Sequence, residues 1–579
     1  MTKLSTVLLT VLLVTVACGA GSRAGTPSAT SDAIQDGLAA ARAGPFPSPT
    51  PGFATQAPER GGVLVLANRG DPPAGFDTLR TSSIALIHIG GALFGPGNLV
   101  RRCRANMFMV CPDLATSWTA APGFAEWTFT IRPDTYWHDG VPFTAEDAKF
   151  WFELAAFDTE ATGTRRVSAY SRGLLGFIER VETLPNNQLR ITLAERNAQF
   201  LEILANPRLK IAHPRHLMEQ PIRDGEPSVT PLSVGLVGTG AYRLEQYKPT
   251  TSIRVRRFER YWERDAGGRR LPYLDGIDYV IIPEPFAMDA AFRTGRIDGG
   301  ARGRAHYLDA PRKRAYDRAF GDQVTYAEVG GDTFRLAFNV LRPGPWQDAR
   351  VRRAISLWID KQAAIPVVLG GFGWTSPGLG PENPFDQKLF LNWPKFDRGT
   401  LEERRAEAVR LIAEAGFAEG FKMGHLCRSI SVDRCVFLKD QLTGLGIELT
   451  LDVVDEGRWN EARISLGHDS QGGAGTPSPI PEGKEAVYGR FSQNPDAYSK
   501  HEDPVIGGLF RELRQALTLR QRVEIWRRFE RYLFVEQAYI VPIAVRIEVI
   551  PYRTYVKGLH IPPVDDHTHT DFATVWLER

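Results

Sequence analysis

Asp113-Leu114-Ala115-Thr116-Ser117-Trp118 is followed by Trp127-Thr128-Phe129-Thr130-Ile131. Then comes Trp137-His138-Asp139-Gly140-Val141-Pro142-Phe143-Thr144-Ala145-Glu146-Asp147. In the middle segment large apolar residues alternate with threonine, the period of a strand buried on one face. Gly140 supplies the freedom for a turn. Thr144 precedes Asp147 by three, a helix-start signal, and Ala148, Trp151, Phe152 and Ala155 then recur at helical spacing. Strand, turn and capped helix in so short a stretch mark a mixed α/β chain. The adjacent His138 and Asp139 invite a catalytic reading. Their place in a turn entering a helix gives them a simpler task, satisfying exposed backbone groups.

The same two periods run outward from this stretch. Val63-Leu64-Val65-Leu66, Ile253 to Phe258, Ile277 to Ile282, Thr333 to Asn339 and Ile447 to Val454 read as strands. Asp348 opens a helix with Val351, Ala354, Ile355, Trp358 and Ile359 on one side. Thr400 and Glu403 form a capping-box pattern before Leu401, Ala408, Ile412 and Ala415, with Gly416 at the far end. Thr518 opens another helix through Val523, Trp526 and Leu533.

The 579 residues are too many for one core, so more than one lobe is expected. Seventy Lys and Arg against 67 Asp and Glu leave a net charge of +3. So weak and scattered a bias gives no electrostatic case for nucleic acid. Lys3 and the uncharged stretch Leu4 to Ala17 read as a signal peptide (residues 1–17). Residues 18–59, rich in Pro, Ser, Ala, Gly and Thr, cannot bury a core and are expected to form a disordered tether. About 40 such residues span roughly 35 Å. Beyond residue 17 no apolar run is long enough to cross a bilayer. Cys103, Cys111, Cys427 and Cys435 remain as candidates for two disulfides in an oxidising compartment, with three pairings open.

Several motifs carry no chemistry. Gly235-x-x-Gly238-x-Gly240 precedes a strand and lacks the strand-to-helix context of a dinucleotide loop. Neither a Gly-x-Ser-x-Gly elbow nor a His-Glu-x-x-His stretch occurs. His567 and His569, with Asp565, Asp566 and Asp571, read as a polar surface loop and not a metal site. No catalytic residue, metal or cofactor is assigned.

The opening stretch resembles the family 5 extracellular solute-binding proteins, the dipeptide, oligopeptide and nickel-type receptors of ABC importers. The resemblance continues through Val237-Gly238-Thr239-Gly240-Ala241-Tyr242-Arg243-Leu244, Tyr261-Trp262 and Tyr273-Leu274-Asp275-Gly276-Ile277. It extends to Gly295-Arg296-Ile297-Asp298, Leu336-Ala337-Phe338-Asn339, Ile412 to Gly416, Leu442 to Ile447, Tyr539-Ile540-Val541-Pro542 and Val556-Lys557-Gly558. Thr15-Val16-Ala17-Cys18 likewise resembles a lipobox, with Thr15 where Leu is usual, which would make Cys18 the lipidated first mature residue. The first resemblance implies a two-lobed periplasmic-binding-protein-like clamshell, type II, of the large three-subdomain class. Lobe 1 would be residues 60–300 with a C-terminal return at 543–579, and lobe 2 residues 301–542. The implied function is capture of a small polar solute (a peptide, an oligosaccharide or similar) by a monomer. The solute would be delivered to ABC permease and ATPase subunits. The protein would work in the periplasm or on the outer membrane face, held by its lipid alone. Hinge closure would bury the ligand.

In peptide-binding members an Asp after a Gly-Trp step anchors the peptide amino group. The corresponding stretch here, Ile464 to Pro479, has neither the Trp nor the downstream Asp-Pro, and Asp469 is its one carboxylate. Its Gly, Ser, Gln and Thr content points to a neutral polar ligand, such as a sugar or a blocked peptide. Candidate contacts are His468, Asp469 and Gln471, with Asp71 and Phe76 after the first strand, Asn339 at a strand end, and Trp374 and Tyr488 as stacking aromatics.

Overall fold

The computed structural model describes residues 58–578, apart from 82, 97, 105–108, 158–168, 227, 302–305, 376–398, 473–484, 494–496 and 560–570. The expected signal peptide, Cys18, most of the tether, and His567 and His569 lie outside the described residues. The strands begin with β1 (Val63–Asn68), β2 (Val100–Arg102), β3 (Val110–Pro112), β4 (Ala115–Ala120), β5 (Glu126–Ile131), β6 (Ile178–Leu184) and β7 (Gln188–Leu193). They continue as β8 (Tyr242–Lys248), β9 (Ser252–Arg257), β10 (Gly276–Ile281), β11 (Gly299–Gly300), β12 (Val324–Phe338) and β13 (Gly373–Trp374). The last are β14 (Phe421–Arg428), β15 (Ile447–Val454), β16 (Ser470–Gln471), β17 (Ile540–Arg553), β18 (Val556–Lys557) and β19 (Trp576–Leu577).

One large sheet runs in the order β15-β14-β16-β12-β17-β11-β1-β10-β9-β8, with β13 added beside β17. β4, β5, β7 and β6 make a separate four-stranded sheet. The start signals read from the sequence act as caps. Asp147 accepts from the backbone and hydroxyl of Thr144, both at 2.9 Å. The Asp348 side chain caps Ala349–Trp358, and Thr400 and Thr518 close full capping boxes on Leu401–Glu414 and Leu519–Glu530. Satisfying otherwise orphaned N–H groups sets where these helices begin.

The buried apolar residues fall into two groups along the chain. One is drawn from residues 64–329 and again from 550–576; it includes Leu64, Phe94, Tyr242, Ile277, Val329, Ile550 and Trp576. The four-stranded sheet and the helix Ala145–Phe157 build its neighbour around Phe129, Trp137 and Trp151. Tyr316 and Val324 also pack on this side, with Ala67, Met288 and Phe292. The second group runs from Phe334 to Ala544. The changeover falls inside β12, between Val329 and Phe334, and inside β17, between Ala544 and Ile550.

β12 and β17 therefore belong to both groups. They pair antiparallel from Val324↔Arg553 to Ala337↔Ile540, with register shifts between Gly330 and Thr333 and between Phe334 and Arg335. A shift of this kind bends and twists a ladder locally. It lies where the strands leave one core and enter the other.

Two local devices hold the first group together. Gly238 and Gly240 lie against the end of the helix Ile84–Phe94. A Cβ would stand 2.0 Å from the Leu93 carbonyl oxygen at Gly238 and 2.3 Å from that of Ala92 at Gly240. His138 locks the approach, its ring taking the Gly238 N–H and meeting the Gly240 carbonyl, both at 3.1 Å. The second device is a buried charge cluster. Arg101 and Arg104 both reach Glu263, and Arg104 also pairs with Asp571 from the chain end. Burial would raise the Glu263 carboxyl, but the two guanidiniums hold it down at about 2. Disulfides join Cys103 to Cys111, across the β2–β3 hairpin, and Cys427 at the end of β14 to Cys435 in the helix Val432–Thr443. Among the described residues no helix is long and apolar enough to cross a membrane.

Gly238→Ala should cost about 3 kcal/mol, the upper range for forcing atoms into a packed site, whereas Gly70→Ala, with nothing within 4 Å, should be near neutral. Guanidinium chloride midpoints check both; equal effects would contradict the close-approach argument. Three buried histidines and half-buried His138 set a pH dependence. Burial pushes His138, His468 and His501 down to about 4 and His425 to about 3. Unfolded, each takes up a proton near pH 6.5. The native state thus binds fewer protons, and stability should fall as pH drops from about 6.5 to 4, by up to about 1.4 kcal/mol per unit per histidine. Asp113, pushed up to about 6 by burial, opposes one of the four. Below about 4.5 Glu263 adds to the loss. Denaturation midpoints at pH 7, 5.5 and 4.5 should fall in that order; a flat series would refute the assignment.

Candidate functional site

The junction between the two core groups is built from β12, β17 and β13, and β16 lies beside the second-core end of β12. β16 is two residues long and sits between β12 and β14, pairing Gln471 with Ala337 and Leu426, and Ser470 with Phe338 and His425. It is fully buried, which for polar residues requires internal partners. The Ser470 hydroxyl donates to the Gly424 carbonyl and meets His425 Nδ1, both at 3.0 Å. Gln471 Nε2 donates to the Tyr498 carbonyl at 2.6 Å. Gln471 Oε1, His425 Nε2 and the Ser499 hydroxyl have no hydrogen-bond partner among the described residues. Buried acceptors and donors left open in this way are unusual in a finished core.

Asn339 organises the entry to this strand. Its side-chain N–H groups donate to the carbonyls of His468 at 2.9 Å and Leu466 at 3.2 Å, and its backbone N–H to the Asp469 carbonyl at 2.9 Å. Asp469 is engaged: it accepts the Gly424 N–H and forms an ion pair with Arg342, both at 2.7 Å. Arg335, on β12, donates to the Tyr488 hydroxyl at 3.2 Å and lies 3.8 Å over the Tyr498 ring. His501 stacks on Tyr539 at 4.7 Å.

The structure thus brings Asn339, His468, Asp469 and Gln471 together, with Tyr488 one contact further through Arg335. It places Phe76 and Asp71 elsewhere. Phe76 is fully buried in the first core, edge-on to Tyr247 at 5.5 Å. Asp71 accepts the Thr250 N–H at 2.8 Å and holds the β8–β9 turn. Tyr488 is 1% exposed amid Phe529, Phe534 and Tyr498, a packing position. The Trp374 backbone pairs with Val545 on β17. Residues 473–479 of the expected ligand stretch lie outside the described residues.

One residue of the junction was missed. Arg546 is set in the middle of β17, next to Gly373 of β13. Its Nη1 donates to the Tyr307 hydroxyl at 2.8 Å. The available signal was a charge, followed two residues on by Glu548, in the otherwise apolar run Ile540 to Ile550. Among the described residues no group of His, Cys, Asp and Glu could hold a metal ion.

The fold has known counterparts. The family model for bacterial extracellular solute-binding proteins, family 5, matches residues 110–496. The glutathione-binding protein GsiB of Salmonella typhi is 24% identical over 349 residues, 60% of this chain and 61% of that protein. The chain thus spans less than two thirds of that relative's length. Di/tripeptide-binding protein 1 of Pseudomonas aeruginosa is 23% identical over 522 residues, 86% of this chain and 92% of that one. The periplasmic binding protein DppA of Helicobacter pylori, solved with the peptide STSA, superposes with a TM-score of 0.72 at 22% identity, covering 90% of this chain and 99% of its own. That likeness is one of fold, a two-lobed α/β architecture. With the model match extending over most of the described residues, the chain belongs to the family 5 bacterial extracellular solute-binding proteins.

Proposed function

We propose that this protein is the extracytoplasmic substrate-binding component of an ABC importer. It captures a peptide-like or other small polar solute between its two lobes and delivers it to the membrane permease. The observation that carries the reading is the double passage of β12 and β17 between two separate cores, with ladder irregularities at the changeover. Two lobes joined by a bent ribbon can close on a ligand, and the closed state gives the permease something to recognise. The expected lobes, 60–300 with 543–579 and 301–542, are proposed here with their boundaries moved to the core changeover, between residues 329 and 334 and between 544 and 550. Family membership and the named relatives, which bind glutathione, di- and tripeptides, support a peptide-like solute. Lipidation at Cys18, a monomeric state and the ATPase partner belong to the same proposal. No step of chemistry is assigned: the site's histidines are buried and neutral, and none is paired with a nucleophile and an orienting acid in the manner of a catalytic triad.

A thermal-unfolding screen against di- and tripeptides, glutathione, oligosaccharides and nickel chelates tests this reading. A true ligand at about a thousand times its Kd should stabilise by about 4 kcal/mol. Mass spectrometry of the same samples should return it unchanged. A ligand consumed during incubation would instead make the protein a hydrolase.

A further inference from the structure

We infer that Arg546 and Tyr307 form an anion-binding subsite between the two cores, and that the captured solute carries a carboxylate received there. The inference rests on the solute-binding reading and names the chemistry of its ligand. Arg546 occupies the point of β17 where the packing changes from one core to the other. Val541, Ile543 and Ala544 pack with the second core, and Ile550 and Tyr552 with the first. On one side its neighbour is Gly373, which contributes no side chain. On the other side is the irregular stretch of β12 between Gly330 and Thr333. Tyr307 comes from the passage between β11 and the helix Ala310–Phe320. Three separate stretches of chain therefore meet at this guanidinium.

The hydrogen-bonding inventory is one-sided. Arginine has five N–H donors and no acceptor. One of them is given to the Tyr307 hydroxyl, whose oxygen is thereby used as acceptor and whose own proton is left to donate. The Arg546 guanidinium also lies 5.1 Å from the Tyr307 ring. Arg546 Nε is buried without a hydrogen-bond partner, and among the described residues no carboxylate forms an ion pair with Arg546. Other half-buried guanidiniums of the chain, those of Arg256, Arg312 and Arg514, do pair with carboxylates. Glu548, two residues along the same strand, has interactions of its own. A half-buried cation with no counter-ion among the described residues is costly unless an anion arrives. A planar guanidinium with a phenol beside it presents donors in the arrangement a carboxylate accepts.

The Gly, Ser, Gln and Thr content of Ile464 to Pro479 pointed to a neutral polar ligand, and an anion subsite replaces that expectation. The missing Trp and Asp-Pro of the amine-anchoring pattern remain compatible with a solute whose amino end is blocked or absent and whose acid end is free.

Calorimetric titration of the full chain with matched pairs tests the inference. The probes are glutathione, Met-Leu and N-acetyl-Met-Leu, each as the acid and as the C-terminal carboxamide. Wild type should bind at least one acid about tenfold or more tighter than its amide, the scale of a charge-assisted hydrogen bond. Arg546→Gln should erase that ratio by weakening the acid alone, and Arg546→Lys should keep part of it. An unchanged amide affinity and denaturation midpoint would show that Arg546→Gln folds normally. Equal binding of acid and amide by wild type, or a ratio that survives Arg546→Gln, overturns the subsite while leaving solute capture intact. Absence of binding by all six probes overturns both the subsite and the peptide-like reading.

Discussion

The backbone pairing of β12 with β17 carries both halves of the molecule. Each strand contributes apolar residues to two cores, so its hydrogen bonds cannot be broken without loosening both. Relative motion of the halves must then be taken up inside the ladder. The register shifts beside Gly330 to Thr333 and at Phe334/Arg335 supply the place. Glycine in a strand interior packs nothing and leaves the backbone more freedom than other residues. The ribbon is thus firm at its two ends, where Val324 and Ile550, and Leu336 and Val541, are buried, and irregular at the centre.

The first lobe must behave as one body for such a hinge to work, and its chain is not continuous. Residues after β17 return to it as β18 and β19, ending far in sequence from their neighbours. Burial of Phe572, Val575 and Trp576 accounts for most of their attachment. Direction comes from the charges: Arg104 spans Glu263 and Asp571, and the Tyr242 hydroxyl donates to the Phe572 carbonyl at 3.0 Å. Removing one partner from a buried pair leaves the other uncompensated, which costs more than the pair contributes. The return segment is accordingly held in one position.

Local structure was legible in the sequence where a local cause produces it. The caps at Thr144, Asp348, Thr400 and Thr518 and the alternation from Trp127 to Ile131 required no tertiary information. What lay beyond reach depended on partners distant along the chain. β12 was readable only from Thr333 on, because its first half, with Gly330 and Gly331, is held as a strand by β17. Phe76 and Tyr488 suggested stacking surfaces, but an aromatic's sequence position does not reveal whether its face meets a ligand or other side chains. Arg546 passed unnoticed because a charge in an apolar run acquires meaning only when its tertiary neighbours are known. The missing peptide-amine anchor between Ile464 and Pro479 stays an expectation from the resemblance, because residues 473–479 of that stretch lie outside the described residues.

On the proposed function these features form one chain of cause: a shared ribbon permits closure, and a junction whose polar groups are open among the described residues is completed by the ligand. Single-molecule energy transfer tests that chain most directly, with dyes at exposed Arg223 on the first lobe and exposed Val409 on the second. Saturating ligand should shift the population to a shorter distance, and substitution at the Gly330–Thr333 irregularity should alter the balance without ligand. Tight binding with an unchanged distance distribution would contradict the account, because the solute would then be held without the hinge.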